Sequence, residues 1–101
     1  MQVENKNVDR FSTDMLINSI QSKQWDLVKD YVYLANLPDE EDNYPLHHLC
    51  SSKDTPMHIF QLIYNTFPAA VYHRNIDDDT PLFNAVTAHF MEVVDFYSIT
   101  I

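Results

Sequence analysis

The stretch Asp79-Thr-Pro-Leu-Phe-Asn-Ala-Val86 decides the fold, because it repeats the earlier stretch Asn43-Tyr-Pro-Leu-His-His-Leu-Cys50 in register. The two prolines, Pro45 and Pro81, lie 36 residues apart. Each opens a short apolar pattern with helical spacing, and proline is favoured at the first position of a helix. Recurrence at a fixed period of about 20 to 50 residues is typical of proteins built from stacked units. The sequence therefore predicts a stack of similar units.

A second, longer helical pattern follows each short one. These longer patterns are Met57-His-Ile-Phe-Gln-Leu-Ile-Tyr64 and Glu92-Val-Val-Asp-Phe-Tyr97. Upstream, residues 15–20 and 25–32 show the same short-then-long arrangement. Each unit is therefore two helices and a polar connection, and the fold class is all-α. The predicted helices cover residues 14–21, 25–34, 45–52, 56–66, 81–88 and 90–98.

Turn and capping residues support these boundaries. Thr80 stands directly before the helix-opening proline, where a threonine side chain caps the helix, and Thr55 precedes another proline in the same way. The polar stretches 38–43 and 75–79 separate the units as turns. Nine apolar residues on the helix faces are predicted to be buried: Leu46, Leu49, Ile59, Leu62, Ile63, Leu82, Ala85, Val86 and Val93.

The third unit resembles an ankyrin repeat, whose helix pair opens with Thr-Pro-Leu-His-x-Ala and recurs about every 33 residues. Thr80-Pro-Leu82 matches this opening, Ala85 takes the alanine position, and Glu92-Val-Val94 stands at the family's Glu-Val-Val. The second unit keeps Pro45-Leu-His47 but has Tyr44 in place of the threonine. The first unit is degenerate and the last is truncated.

The resemblance implies an ankyrin-type helix-pair solenoid with short turn or hairpin fingers between the repeats. The first ten or so residues are polar, so residues 1–10 are predicted to be a separate N-terminal segment, with the repeat domain at 11–101. The repeats would lie near residues 11–38, 39–74 and 75–101. Ankyrin repeats bind other proteins, so the resemblance also implies a protein–protein interaction module and no enzyme.

The chain departs from the family at its glycines, because it contains none. Asp42 and Asp78 stand at the family's β-turn glycine, and Lys23 and His89 at its inter-helix glycine. Aspartate tolerates the left-handed conformation reasonably well, whereas lysine and histidine tolerate it less well. These turns are therefore expected to be strained or opened, at up to about 1 kcal/mol each. The absence of glycine also excludes Gly-rich phosphate loops and nucleophile elbows.

Charge and composition narrow the possible partners. The chain has 15 Asp+Glu against 6 Lys+Arg, a formal net charge of −9, which argues against nucleic-acid binding. Apolar residues make up 46% of its 101 residues, enough for the core of one domain. The one cysteine, Cys50, excludes an internal disulfide and favours a reducing, cytoplasmic location. Neither a secretory signal nor an apolar run of about 20 residues is visible, so no membrane partner is expected.

Three patterns that could carry chemistry fall short of a site. Residues 77–80 approach the Asp-x-Asp-x-Thr nucleophile of haloacid-dehalogenase phosphatases, but the threonine comes one residue early. The acidic runs 39–42 and 77–79 lack the glycine and terminal glutamate of a calcium-binding EF-hand loop. His47 and Cys50 share a helix face, but no second pair of ligands completes a zinc site. We therefore expect no enzyme activity, metal or cofactor.

The acidic turns themselves repeat, and this predicts a binding edge. Equivalent turns of stacked units line up as neighbouring fingers, which would set Glu40, Glu41 and Asn43 beside Ile76, Asp77 and Asp79. The predicted partner is a protein with a basic surface, bound by these fingers and the exposed face of the first helices. The alternative is a structural or regulatory spacer within a larger polypeptide, with no ligand of its own. The candidate partner-binding residues are Glu40, Glu41, Asn43, His48, Ser51, Asp77, Asp79 and Thr87.

The C-terminal face is a further candidate contact surface. Phe90, Val94 and Ile99 are expected to have no following repeat to cover them. Because a repeat buries its apolar faces only against its neighbours, an uncovered face requires an occupant. Further repeats or self-association are therefore expected at this face.

Overall fold

A computed structural model describes residues 14–100 of the chain, without the side chains of residues 99 and 100. These residues are all-helical and contain no strand, so the all-α part of the predicted fold class is confirmed. The helices in chain order are α1 (residues 14–21), α2 (Trp25–Asp30), α3 (Pro45–Cys50), α4 (Met57–Thr66), α5 (Pro81–Thr87) and α6 (Met91–Thr100). Short 3₁₀-helices at Val32–Leu34 and Pro68–Tyr72 follow α2 and α4.

The first helices of the second and third units, α3 and α5, pack side by side. Each also packs against its own second helix, α3 on α4 and α5 on α6. Between the second helices, Phe60 and Tyr64 of α4 meet Phe96 of α6 edge-on, with ring centroids 5.2 Å apart in both pairs. This edge-to-face geometry is favourable for aromatic rings. The two helix pairs therefore form two layers with one shared core.

Capping explains where α3 and α5 begin. The hydroxyl of Thr80 accepts a hydrogen bond from the N–H of Phe83 at 3.3 Å, which confirms the predicted cap. At α3 the ring Nδ1 of His47 instead accepts the N–H of Tyr44 at 3.0 Å. The predicted Thr55 cap is wrong, because α4 begins two residues later and the buried Thr55 hydroxyl donates to the carbonyl of Leu49 at 3.1 Å. That hydrogen bond adds to the one from the N–H of Ser52 at 3.4 Å on the same carbonyl, at the end of α3 where the helix itself supplies no partner.

The glycine-free turns adopt the left-handed conformation. Lys23 and His89 have φ of 60° and 58°. After α5, the N–H of His89 bonds the carbonyl of Val86 at 3.1 Å, and the N–H of Phe90 bonds that of Ala85 at 2.9 Å. This pair of bonds is a Schellman motif, the usual C-terminal cap formed with glycine, and α1 ends in the same way at Lys23. The turns are therefore closed, with non-glycine residues in them.

The core confirms most of the predicted buried residues and corrects three. Leu62 is only half-buried, whereas Leu82 and Val86 are 37% and 50% exposed. Leu82 and Val86 lie on the side of α5 that no described element covers, so helical spacing alone did not decide their burial. The fully buried residues of the predicted set are Leu46, Leu49, Ile59, Ile63, Ala85 and Val93.

The expected uncovered C-terminal face is also corrected in part. Phe90 is only 1% exposed, because it follows the left-handed His89 and turns into the core beneath α5. An apolar residue at this position commonly packs back on the helix that a Schellman motif ends. Val94 is half-buried, and the side chain of Ile99 lies outside the described residues.

Candidate protein-binding edge

The turn at residues 39–43 is closed by its first side chain. The Oδ1 atom of Asp39 accepts the N–H groups of Glu41 and Asn43, each at 2.9 Å. The N–H of Asp39 donates to the carbonyl of Asn43 at 2.9 Å, and Asp42 has φ of 60°. An acidic or amide side chain that binds its own backbone in this way fixes a tight turn. The first finger is therefore held by its own hydrogen bonds.

The turn at residues 75–79 has the same construction, 36 residues later. The Oδ1 atom of Asn75 accepts the N–H groups of Asp77 and Asp79, each at 2.9 Å. The N–H of Asn75 donates to the carbonyl of Asp79 at 3.0 Å, and Asp78 has φ of 70°. The matching bonds make the two fingers equivalent parts of successive units.

The two fingers are bonded directly to each other. The N–H of Ile76 donates to the carbonyl of Glu41 at 3.0 Å. The side-chain amide of Asn75 donates to Oδ1 of Asn43 at 2.7 Å. The structure therefore brings Glu41 and Asn43 beside the second finger. We name residues 39–43 and 75–79 together the acidic edge.

A buried histidine joins the units behind this edge. His47 is 1% exposed, and while its Nδ1 accepts the N–H of Tyr44, its Nε2 donates to the carbonyl of Asp79 at 2.9 Å. The side chain of Asn84 adds a bond to the carbonyl of His47 at 3.3 Å. Burial lowers the pKa of His47, more than the contacts with the carbonyls of Asp79 and His73 raise it. These bonds tie His47 to its own helix start and to the next unit.

Asp39 is the most constrained carboxylate of the edge. Burial alone would raise its pKa, but hydrogen bonds from His48 and from the N–H groups of Asn43 and Glu41 hold the pKa below its usual value. The ring of His48 donates to Asp39 at 2.9 Å, and both side chains are about one-fifth exposed (18% and 20%). Asp39 and His48 therefore support the first finger from within.

The outer carboxylates are exposed on both fingers. Glu40, Glu41 and Asp77 all lie at the surface, and Asp79 is half-buried. Asp14, Asp39, Glu40 and Glu41 line a shallow pocket of about 280 Å³ beside the first finger. Among the described residues, Arg74 is the arginine that forms an ion pair with the edge, with its guanidinium 3.5 Å from the carboxylate of Asp78. The edge consequently presents a negative surface.

Two predicted site residues lie away from the fingers. Ser51 directly follows α3, and Thr87 is the last residue of α5. Both therefore lie at the ends of these helices opposite the turns. Both are exposed, and their hydroxyls donate to the carbonyls of His47 at 2.8 Å and Asn84 at 3.0 Å. The structure therefore does not bring them to the acidic edge, and any contact they make would extend along the helix face.

The cysteine and the possible metal ligands lie outside the acidic edge or do not converge in the described part of the chain. Cys50 is fully buried, and its sulfur lies 4.0 Å from the hydroxyl of Tyr97. Burial raises the pKa of the Cys50 thiol to about 12, so it carries little nucleophilic thiolate. Within residues 14–100 there is no group of three or more histidine, cysteine or acidic side chains placed to hold a metal ion. The helices described here are all too short or too polar to cross a membrane.

The polar contacts between the units were not predicted from the sequence. The bonds of Asn75 to Asn43 and of His47 to Asp79 depend on the packed arrangement of two units. One signal was available, because Asp39 and Asn75 occupy the same place, 36 residues apart, at the start of each turn. Residues that can accept their own backbone N–H groups at matching positions indicate matching turns.

Comparison with known proteins gives no assignment. No protein-family model matches the sequence. No curated protein is significantly similar to it, and no solved structure matches it. The resemblance of the third unit to an ankyrin repeat therefore stays a prediction.

Proposed function

We propose that this chain is a protein-binding module of ankyrin-repeat type and that it binds a basic protein surface through the acidic edge. The observation that carries the proposal is the direct bonding of the two fingers, from Ile76 to Glu41 and from Asn75 to Asn43. A loop held in its binding conformation loses little entropy when a partner binds. The acidic edge is therefore preorganised for binding.

The charge on the edge favours a basic partner. Glu41 and Asp77 are exposed and form no ion pair within the described residues. Lysine or arginine side chains of a partner can therefore approach both fingers at once. Together with the net charge of −9, this arrangement favours electrostatic steering of a cationic partner.

An apolar residue stands among these carboxylates. Ile76, at the second finger, is 62% exposed. Apolar anchors surrounded by polar residues are typical of the centres of protein interfaces. We expect the partner to place an apolar recess over Ile76 and basic side chains on either side of it.

Several features support the ankyrin-type assignment. Successive units repeat the same finger, and the first helix of each later unit begins with proline. The four residues at the family's glycine positions, Lys23, Asp42, Asp78 and His89, all have positive φ. A single buried cysteine is compatible with the cytoplasmic location that we propose, where thiols stay reduced.

The test is a selection of peptides that bind the full chain, followed by charge reversal. We expect the selected peptides to be rich in lysine and arginine, and Glu41→Lys with Asp77→Lys to abolish their binding. The matched control is Glu92→Lys with Asp95→Lys, an equal charge change on exposed residues of α6. If both double variants lose peptide binding equally, the loss is due to net charge and not to the acidic edge. A selection that yields no binder would favour the spacer alternative.

A further inference from the structure

An apolar groove of about 470 Å³ opens on the outer side of the third unit. Leu82 and Val86 of α5 line one wall, Val94 of α6 lines the other, and Val71 of the preceding 3₁₀-helix contributes to the lining. We name it the α5–α6 groove. Thr80 and Arg74, which flank the second finger in the sequence, also line the groove, and the guanidinium of Arg74 is 3.5 Å from the carboxylate of Asp78.

The second unit has the same positions and buries them. Leu46 and Cys50 stand 36 residues before Leu82 and Val86, and both are 0% exposed. The difference arises because α5, the first helix of the third unit, packs over α3, whereas within the described residues no first helix of a further unit packs over α5. Exposures of 37% and 50% at Leu82 and Val86 are therefore those of a stacking face that is not covered.

The first unit also buries the residues that are equivalent to Leu82 and Val86. Leu16 and Ile20 stand 66 residues before Leu82 and Val86, as Lys23 stands before His89. They are 0% and 4% exposed. Two units thus bury the positions that the third leaves open. Repeated units of this kind contact only their neighbours, so the element that covers such a face is another unit.

The second finger, next to the groove at Thr80, indicates what that unit must carry. Asp79 stands 36 residues after Asn43, whose side-chain oxygen accepts the amide of Asn75 from the next unit. The carboxylate of Asp79 accepts no hydrogen bond within the described residues, and a carboxylate binds lysine or arginine most strongly. A second copy of this chain would bring its own charge of −9 against this finger, which disfavours self-association.

We propose that the α5–α6 groove binds a two-helix unit of a partner protein, built like residues 75–100, with lysine or arginine at the position of Asn75. Its first helix lies over Leu82 and Val86 as α5 lies over α3. Its turn lies beside residues 75–79, where the carbonyl of Asp77 takes the part that the carbonyl of Glu41 plays in bonding Ile76. The proposal does not depend on the binding function of the acidic edge.

The probe is a fluorescent synthetic peptide that copies residues 75–100 with Asn75→Lys, Glu92→Lys and Asp95→Lys, titrated against the full chain by anisotropy. We expect Leu82→Lys to weaken binding at least about tenfold, because it puts a charge against the apolar side of the peptide. The matched control is Leu37→Lys, since Leu37 is also 37% exposed but lies outside the groove. Equal effects of the two variants overturn the proposal.

A second measurement covers the case of a peptide that does not fold alone. The same unit, fused after residue 101, is expected to raise the urea midpoint of the chain, with the gain lost in Leu82→Lys and kept in Leu37→Lys. If neither the peptide at about 1 mM nor the fused unit has any effect, the proposal is wrong. Sedimentation of the chain alone is the third arm, because a dimer broken by Leu82→Lys but not by Leu37→Lys would assign the groove to a second copy and overturn the proposal.

Discussion

Lys23 and His89 hold backbone conformations that glycine would adopt at lower cost. Their φ values of 60° and 58° lie in the left-handed region, where a Cβ atom is crowded by the backbone. Each ends a helix with a Schellman motif, so the conformation is imposed by the cap and not by the residue. Lysine and histidine are therefore tolerated in this backbone conformation, but they do not stabilise it.

Glycine at either position should therefore stabilise the chain. We expect Lys23→Gly and His89→Gly each to raise the free energy of unfolding by up to about 1 kcal/mol in urea denaturation. The control is Lys29→Gly inside α2, which should lower it by about 1 kcal/mol because glycine is unfavourable within a helix. A loss of stability in the first two variants would show that their side chains contribute more than the backbone strain costs.

His47 should make the stability depend on pH. Burial depresses its pKa in the folded chain from the usual 6.5, despite its contacts with the carbonyls of Asp79 and His73. Below pH 6.5 the unfolded chain therefore takes up more protons than the folded one. Stability should be full above this pH and should fall as the pH drops toward the depressed folded-state value.

The measurement is the free energy of unfolding at pH 7.5 and 5.5 in the native chain and in His47→Gln. Glutamine can accept the N–H of Tyr44 as a capping residue but does not titrate. We expect the loss of stability at the lower pH to shrink in His47→Gln and to stay unchanged in His58→Gln, since His58 is exposed. An unchanged loss in His47→Gln would exclude His47 as its source.

At the scale of elements, neighbouring residues of α4 should differ in their contribution to stability. Ile63 is 1% exposed, whereas Leu62 is half-buried at the flank of the same helix. Ile63→Ala should cost about 2–5 kcal/mol in the free energy of unfolding, because it leaves a cavity. Leu62→Ala should cost clearly less. A larger loss for Leu62→Ala would mean that the face of α4 is assigned wrongly.

The helices could be predicted from the sequence because their signals are local. Proline at Pro45 and Pro81 and the cap at Thr80 act within one turn of helix. Burial at Leu82 and Val86 was predicted wrongly, because it depends on a covering unit and not on helical spacing. Local pattern determines which face of a helix is apolar, and only packing determines whether that face is covered.

The candidate site was predictable in part for the same reason. Equivalent acidic turns, 36 residues apart, indicated that the fingers would be neighbours. Their bonds through Asn75 and Ile76 could not be predicted, because they depend on side-chain and backbone directions set by two packed units. Ser51 and Thr87 were assigned to the exposed face of the first helices, and both are exposed at the ends of α3 and α5 away from the fingers.

The whole molecule presents two different surfaces. The acidic edge is charged and fixed by hydrogen bonds, so it suits long-range attraction of a basic partner. The α5–α6 groove is apolar and suits close packing of helices. Because exposed charges act over a Debye length of about 8 Å at physiological ionic strength, salt should weaken the first surface far more than the second.

The most direct test of the central claim is the salt dependence of the association rate for a lysine-rich peptide selected on the full chain. We expect this rate to fall steeply with salt in the native chain and in Glu92→Lys with Asp95→Lys. In Glu41→Lys with Asp77→Lys it should be low and nearly independent of salt, because the attracting charges are reversed. Equal salt dependence in all three chains would contradict binding at the acidic edge.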